Sequence, residues 1–462
     1  MISLAAIPSR YPADEIALVH GDERWTWGDL DRRSAAWAAR LRSKGVKPDD
    51  LVAFAVRNGP DFFGLTFGVY RAGATPAPLS PKLPAGEREA ILDLMKPTAF
   101  VSDVEIATPL PAAEADPLSI SKSWKACTSG GSTGRPKVIV DARPAGFAPD
   151  TKFIGVPAQD RVLVPGPLYH NAPFSAAVFA LWRGSTVVTM EKFDPELVLL
   201  VVEREKISWA IMVPTMMHRV MRLPDVTRRS RDLSSWRTVV HTAAPIAPWL
   251  KRAWIDAFGA DHIWEAYGAT EGIVRTFIGG REWLERPGSV GKPTAGARVR
   301  ILDPDGADLP AGVQGEIFAM SPGGPWSTYR YIGAERRATP DGWESVGDMG
   351  WVDDDGYLYL ADRRADLIIS GGINIWPAEV EAAVLRHPTV RSCAVFGLAD
   401  QDLGQRVHAV VETDDARLNV QTLSLFLADH LSRDKHPRSL ERVESPVRDD
   451  AGKVRKISLA GT

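Results

Sequence analysis

The sequence predicts an α/β fold: a large N-terminal domain of layered α/β subdomains with an added β subdomain, then a small α+β domain at the C-terminus. Three observations predict it. A helix, turn, strand order recurs along the first part of the chain, the pattern of parallel sheets covered by helices on both faces. From Val299 the texture changes to short β-rich segments broken by Asp-Gly turns. The 462 residues, 45% of them hydrophobic, can bury several cores and divide into at least two domains.

The elements follow in order. Residues 28 to 46 place apolar side chains at helical spacing, and Leu51 to Val56 reads as a buried strand after the turn at Pro48 and Asp49. Pro195 to Lys206 is a helix followed by the strand Trp209 to Val213, and Pro248 to Phe258 a helix followed by His262 to Trp264. VRILDPDG, GEIFAM and GYLYLADR form the β subdomain. The last unit begins after Arg363, with helix Pro377 to Leu385, strands Ser392 to Phe396 and Arg406 to Glu412, and helix Gln421 to Leu431. No internal repeat or low-complexity tract interrupts this order.

Composition excludes several function classes. A formal net charge of -3 gives no global field to gather nucleic acid or coat an anionic membrane, so any phosphate recognition is local. Two cysteines, Cys127 and Cys393, give no disulfide framework and fit a reducing, cytoplasmic setting. The N-terminus lacks a basic region and a long apolar core, so neither signal peptide nor anchor is expected. The apolar run Leu197 to Val202 is far too short to span a bilayer.

The stretch TSGGSTGRPK carries the most chemistry. Thr128, Ser129, Gly130, Gly131, Ser132, Thr133 and Gly134 lie between two expected strands and lead to Lys137. Glycine lets backbone N–H groups approach an anion, the hydroxyls add donors, and the lysine fixes a positive charge. The loop lacks the GK[ST] ending of a Walker A loop and the GxGxxG spacing of a dinucleotide fingerprint. A flexible surface turn is the plain alternative.

TSGGSTGRPK resembles the signature loop of the adenylate-forming superfamily of acyl-CoA synthetases, peptide-synthetase adenylation domains and luciferases. EAYGATEG, GEIFAMSP, VGDMG, LADRRADLIISGGINIWPAEVE and AGKVRK resemble further motifs of that family, in the same order through nearly the whole chain. The resemblance implies an acyl- and adenylate-binding domain over residues 1–362 and a mobile lid over 363–462. It also implies ATP, Mg2+ and coenzyme A as cofactors, with a carboxylic acid as substrate. The oligomeric state, homodimer or otherwise, stays open.

Carried over by motif, Tyr267 and the Ala243, Ala244, Pro245 segment would enclose adenine, with Glu265 near its exocyclic amine and Gly268 beside them. Thr270 would donate to the α-phosphate, and Glu271 would hold Mg2+, a hard cation that takes few protein carboxylates beside phosphate oxygens. Asp348 would accept from the ribose hydroxyls and Arg363 hold the ribose. Lys453 would stabilise charge on the reacting carboxylate and α-phosphate. His170, in PLYHNAPF, would border the acyl site and orient the acid. Gly371, Gly372 and Asn374 would line the pantetheine tunnel, and Lys435, His436 and Arg438 would meet coenzyme A phosphates. Seen singly, Asp348 also reads as a turn residue, Lys453 as a solvated tail lysine, His170 as a structural histidine and the basic cluster as a solvated face.

The wording of PLYHNAPF, HTAAP and WEAYGATEG is most similar to synthetases for bulky or polycyclic acids such as steroid, bile-acid or terpenoid carboxylates. Four positions depart from the family pattern. Ala365 stands at the hinge in place of Asp or Lys, Asp449 and Asp450 precede Lys453, and Val138 replaces the glycine after the loop lysine. Carboxylates beside the lysine that must approach a triphosphate oppose that approach, so slow adenylation with faster thiolation is expected. A carrier-protein acceptor and a regulatory nucleotide-binding relative are the rival functions.

Overall fold

The structure, a computed structural model, describes residues 1–110, 120–130, 136–294, 296–363, 366–448 and 454. Its largest sheet has eight strands in the order Arg275–Gly279, Ile263–Gly268, Thr238–His241, Trp209–Met212, Arg161–Val164, Thr186–Thr189, Ile16–His20, Glu23–Thr26. The pairings from Ile263–Gly268 to Ile16–His20 are parallel, and both edges close with an antiparallel strand. Parallel strands buried on both faces read as near-continuous apolar runs, and RVLV, TVVT and WAIM do so. Alternate residues serve different cores: Val162 and Val164 face one, Leu163 the other. Helices Pro195–Glu205, Pro214–Met221 and Pro248–Phe258 cover the Leu163 side, and Asn171–Trp182 the opposite side.

A second parallel sheet, Thr75–Pro78, Leu51–Ala55, Ala99–Ser102, packs with helices Trp27–Ser43 and Pro60–Arg71. Thr26 and Asp29 form a reciprocal capping box that starts the first of these helices. The strand TPAP tolerates two prolines because it is an edge strand with one partner. A three-stranded antiparallel sheet, Tyr329–Ile332, Pro136–Asp141, Ala126–Gly130, holds the glycine-rich hairpin. Val138, the departure after the loop lysine, is fully buried there and packs against Ala126 and Ala53.

The β subdomain is a seven-stranded antiparallel sheet between Ser289 and Arg363, to which GEIFAM contributes Gly315–Met320. The C-terminal unit has its own core and a five-stranded sheet whose long hairpin joins Ser392–Asp400 to Gly404–Glu412. Both strands extend beyond the sequence-predicted ends, while the helix expected over Gln421 to Leu431 is Val420–Leu427. Among the described residues no helix is long and apolar enough to cross a membrane.

Candidate active site

Parallel α/β sheets open a crevice at the carboxyl ends of their strands, and the YGATEG motif lies at one such end. The strand Ile263–Gly268 delivers Tyr267 and then turns: Gly272 N–H donates to Ala269 O (3.0 Å), and Gly272 takes φ +69°, a conformation that favours glycine. That turn presents Thr270 and Glu271. Glu271 is buried, and its Oε1 accepts from Lys137 Nζ (3.0 Å) and from the Tyr331 hydroxyl (2.6 Å). Lys137 Nζ also lies 4.3 Å from the Tyr331 ring centroid and 2.9 Å from its hydroxyl. Burial, then the Glu271 charge, pushes the Tyr331 phenol well above its ordinary pKa, so it stays a donor. The glycine-rich hairpin and the YGATEG turn are thus joined through one carboxylate oxygen.

The Tyr267 hydroxyl donates to Asp348 Oδ2 (2.8 Å), which brings the second motif pair together. Asp348 and Arg363 are backbone partners on adjacent strands. Gly371 and Gly372, at φ +57° and +81°, close the hairpin between Ile368–Ser370 and Ile373–Ile375, and Asn374 beyond them is exposed. His170 occupies the N-cap position of helix Asn171–Trp182 with its ring 4.5 Å from that of Tyr169. The head of that helix is fixed from below: the buried Lys125 donates to Asn171 Oδ1 and to Ser175 Oγ (3.0 Å). After strand Thr238–His241, the exposed Ala243 takes φ +75°, strain that costs an L-residue about 1–2 kcal/mol and clusters at functional sites.

Two expectations need correction. The Glu265 carboxylate is buried and paired with Lys251 Nζ (2.5 Å), a fully buried lysine on helix Pro248–Phe258 that lies 4.9 Å from the Trp283 ring. Strand alternation turns Glu265 toward the core that holds Ile263, so its carboxylate serves packing rather than a ligand. Burial raises the Glu265 pKa and lowers that of Lys251, each offset by the other's charge. His241, with Nε2 3.7 Å from Glu265, is held neutral by burial and by the Lys251 charge. His436 is also buried: its Nε2 meets Leu431 O (2.9 Å) and its Nδ1 meets Ser424 Oγ (2.7 Å). The carbonyl can only accept, so Nε2 carries the proton and Nδ1 accepts from the hydroxyl; neither nitrogen is left for a phosphate. Lys435 is bound by Glu379 through both oxygens (2.7 and 2.8 Å), whereas Arg438 is exposed.

Gly131, Ser132, Thr133, Gly134, Ala365, Asp449, Asp450 and Lys453 lie outside the described residues. Thr128, Ser129 and Gly130 form the strand leading into the loop, in register with Val138, Lys137 and Pro136. No motif in the sequence points to Tyr331, Lys251 or Lys125. Each acts across a long stretch of sequence, and only Tyr331 had a local signal, the aromatic YRYI strand.

Mg2+ fits the donor set. Among the described residues no three potential ligands cluster, and Glu271 offers one oxygen while Lys137 and Tyr331 hold the other, as suits a cation that completes its shell with phosphate and water.

The model for the AMP-binding enzyme family matches residues 4–124 and 126–329, and that for the AMP-binding enzyme C-terminal domain matches 379–453. A feruloyl-CoA synthase of Amycolatopsis sp is 32% identical over 95% of this chain and 94% of its own length. A 3-[(3aS,4S,7aS)-7a-methyl-1,5-dioxo-octahydro-1H-inden-4-yl]propanoyl:CoA ligase of Rhodococcus jostii is 30% identical over 96% and 95%. Among solved structures, the o-succinylbenzoate CoA synthetase of Bacillus subtilis superposes with a TM-score of 0.83 at 24% identity, covering 99% of this chain and 98% of that one, and so shares the fold. With both family models matched in order and a feruloyl-CoA synthase 32% identical over nearly the whole chain, this chain is a member of the AMP-binding enzyme family, an AMP-forming acid–thiol ligase that works with ATP, Mg2+ and coenzyme A.

Proposed function

We propose that the protein is an acyl-CoA synthetase for a bulky, ring-bearing carboxylic acid. The observation that carries this reading is the joining of Lys137, Glu271 and Tyr331 at the carboxyl ends of the parallel strands, beside Tyr267 and Asp348. Two relatives named for ring-bearing acyl groups support the substrate class.

The roles divide by chemistry. Glu271 would hold Mg2+ through its second oxygen, and the metal supplies neutralisation of phosphate charge. Lys137 exchanges Glu271 for phosphate oxygens, with the loop Thr128, Ser129, Gly130, Gly131, Ser132, Thr133 and Gly134 supplying N–H and hydroxyl donors. Thr270 donates to the α-phosphate. Tyr267 and the Ala243, Ala244, Pro245 segment enclose the adenine, with Gly268 leaving room beside them, and Asp348 with Arg363 holds the ribose. His170 orients the reacting carboxylate for attack on the α-phosphate, and Lys453 stabilises the charge that builds there. Residues 363–462, turning about Ala365, then bring Gly371, Gly372 and Asn374 to the acyl-adenylate, where the coenzyme A sulfur displaces AMP, with Arg438 facing its phosphates. Ala365, Asp449 and Asp450 favour a second reading within the same chemistry, in which adenylation is the slower half-reaction.

The test is a panel of acids assayed by AMP release with and without coenzyme A, with a sterol-type acid competing against palmitate. Acid-dependent AMP release with higher kcat/KM for the ring acid is expected. A preference for palmitate overturns the substrate class, and the absence of acid-dependent AMP release overturns the ligase reading.

A further inference from the structure

A pocket of about 330 Å3 is lined by Phe179 from helix Asn171–Trp182, by Arg275 from strand Arg275–Gly279, and by Phe147, Phe153, Arg143 and Lys152. Phe179 is sandwiched between two rings. Phe153 stacks on it at a centroid distance of 4.7 Å and an interplanar angle of 5°, and Phe147 at 4.7 Å and 14°. A wall of stacked rings takes a flat apolar body.

The charges around this wall do not balance. Arg275 places its guanidinium 5.3 Å from the Phe153 centroid, and no hydrogen-bond acceptor holds it among the described residues. Asp141, an acid that acts on it, already gives both oxygens to Arg143 (Nε 2.9 Å, Nη2 2.6 Å). Lys125, behind this group, donates to the neutral Asn171 and Ser175, lies 4.3 Å from the Trp124 ring, and has its pKa lowered by burial. Two guanidiniums therefore share one carboxylate, and no acid is among the described residues that line the pocket. A partly buried guanidinium without a counter-ion is costly unless a ligand supplies the anion.

Arg275 ties the pocket to the strand that carries Tyr267. Arg275 is the register partner of Gly268, which follows Tyr267, and a Cβ on Gly268 would stand 3.7 Å from Arg275 Cα and 3.8 Å from its Cγ. On the other wall, Phe179 is two turns along the helix headed by His170, about 12 Å from Asn171 at 1.5 Å per residue. A ring-bearing acid lying along that helix with its reacting carboxylate at His170 would direct its far end toward the wall that Phe179 and Arg275 share.

We propose that Arg275 is a specificity-determining residue of the acyl site, selecting acids that carry a second carboxylate at the far end of a flat ring body. This rests on the ligase reading above and narrows its substrate class. A guanidinium pairs with a carboxylate through two parallel N–H donors, and a site built to meet a polar group discriminates strongly against the analogue that lacks it.

The experiment compares a biphenyl dicarboxylate with its monomethyl ester as substrates of the full-length enzyme, by coenzyme A-dependent AMP release, in wild type and in Arg275→Met. Wild type favours the diacid by about tenfold or more in kcat/KM, as expected for a paired charge, and Arg275→Met reverses the order by losing turnover of the diacid while keeping that of the ester. Arg275→Lys retains part of the preference. Equal wild-type kcat/KM for the two acids overturns the proposal without any variant, as does an Arg275→Met enzyme that loses both substrates alike. Turnover of other ring acids but of neither biphenyl compound also overturns it while leaving the ligase reading intact. If no acid in a broad panel yields a thioester, both readings fall.

Discussion

Replacing Lys251 by Met removes the only cation paired with Glu265 among the described residues. The lysine is fully buried, and the Glu265 side chain is 8% exposed, so water cannot take over the lost contact. The remaining polar neighbour is His241 Nε2 at 3.7 Å, a ring that burial keeps neutral. Breaking a buried pair by removing one partner costs about 3–5 kcal/mol, while replacing both by apolar groups of similar volume is close to neutral. Lys251→Met is therefore expected to destabilise the large domain by about 3–5 kcal/mol, and Lys251→Met with Glu265→Leu to recover most of that loss. Urea titration followed by tryptophan fluorescence suits the site, because Trp254 and Trp283 lie in the same core. A Lys251→Met variant within about 1 kcal/mol of wild type, or a double variant as unstable as the single one, would refute a buried ion pair as the reason for these two residues.

Other predictions concern strain, charge and protonation. Ala243→Gly relieves the φ +75° backbone and should raise stability by about 1 kcal/mol in the same titration, with unchanged stability counting against the strain. Glu271→Gln should melt near the wild-type temperature while AMP release falls by about a hundredfold or more, the loss of about 2.7 kcal/mol of transition-state stabilisation; near-normal kinetics would remove Glu271 from the metal site. His218, buried where helix Pro214–Met221 meets the C-terminal unit, has its pKa lowered to about 4 by burial and then by Arg222. Its neutral form is the folded one, so its contribution is complete above the unfolded value near 6.5 and is lost as pH falls from there toward 4. His218→Gln should flatten the stability profile across that window by roughly 3 kcal/mol, and an unchanged slope would contradict the assignment.

The parallel sheets were legible because buried strands and the helices between them carry period and length signals, as in WAIM after Pro195–Glu205. Motif order assigned Tyr267, Asp348, Lys137 and Glu271 to one expected nucleotide site, but the direct hydrogen bonds of Tyr267 to Asp348 and of Lys137 to Glu271 come from the structure alone. Pairings that depend on packing were not legible. Lys251 and Glu265 look like an exposed helix lysine and a motif carboxylate until the helix is laid on the sheet, and Lys125 looks like a strand-edge charge until Asn171 and Ser175 come down upon it. The resemblance assigns His436 to the coenzyme A phosphates, and nothing in KHPR separates a histidine free to do that from one held between Ser424 and the Leu431 carbonyl. Arg275 follows the YGATEG motif by a few residues, yet only the strand register turns it toward the aromatic wall.

The C-terminal unit is tied to the large domain through contacts that any rotation of it would have to break. Arg222 donates to the carbonyls of Pro388 and Val390 (the latter 3.2 Å), and Trp249 Nε1 donates to Ala382 O (3.0 Å). All three acceptors are main-chain carbonyls of the C-terminal unit.

The central claim is that one crevice couples ATP cleavage to thioester formation. The most direct measurement is the stoichiometry of AMP, pyrophosphate and acyl-CoA formed from ATP, coenzyme A and a ring-bearing acid, in wild type and in Glu271→Gln. Equal amounts of all three products, each dependent on the acid and all lost together in Glu271→Gln, are predicted; ADP as the nucleotide product, or AMP release indifferent to the acid, would contradict it.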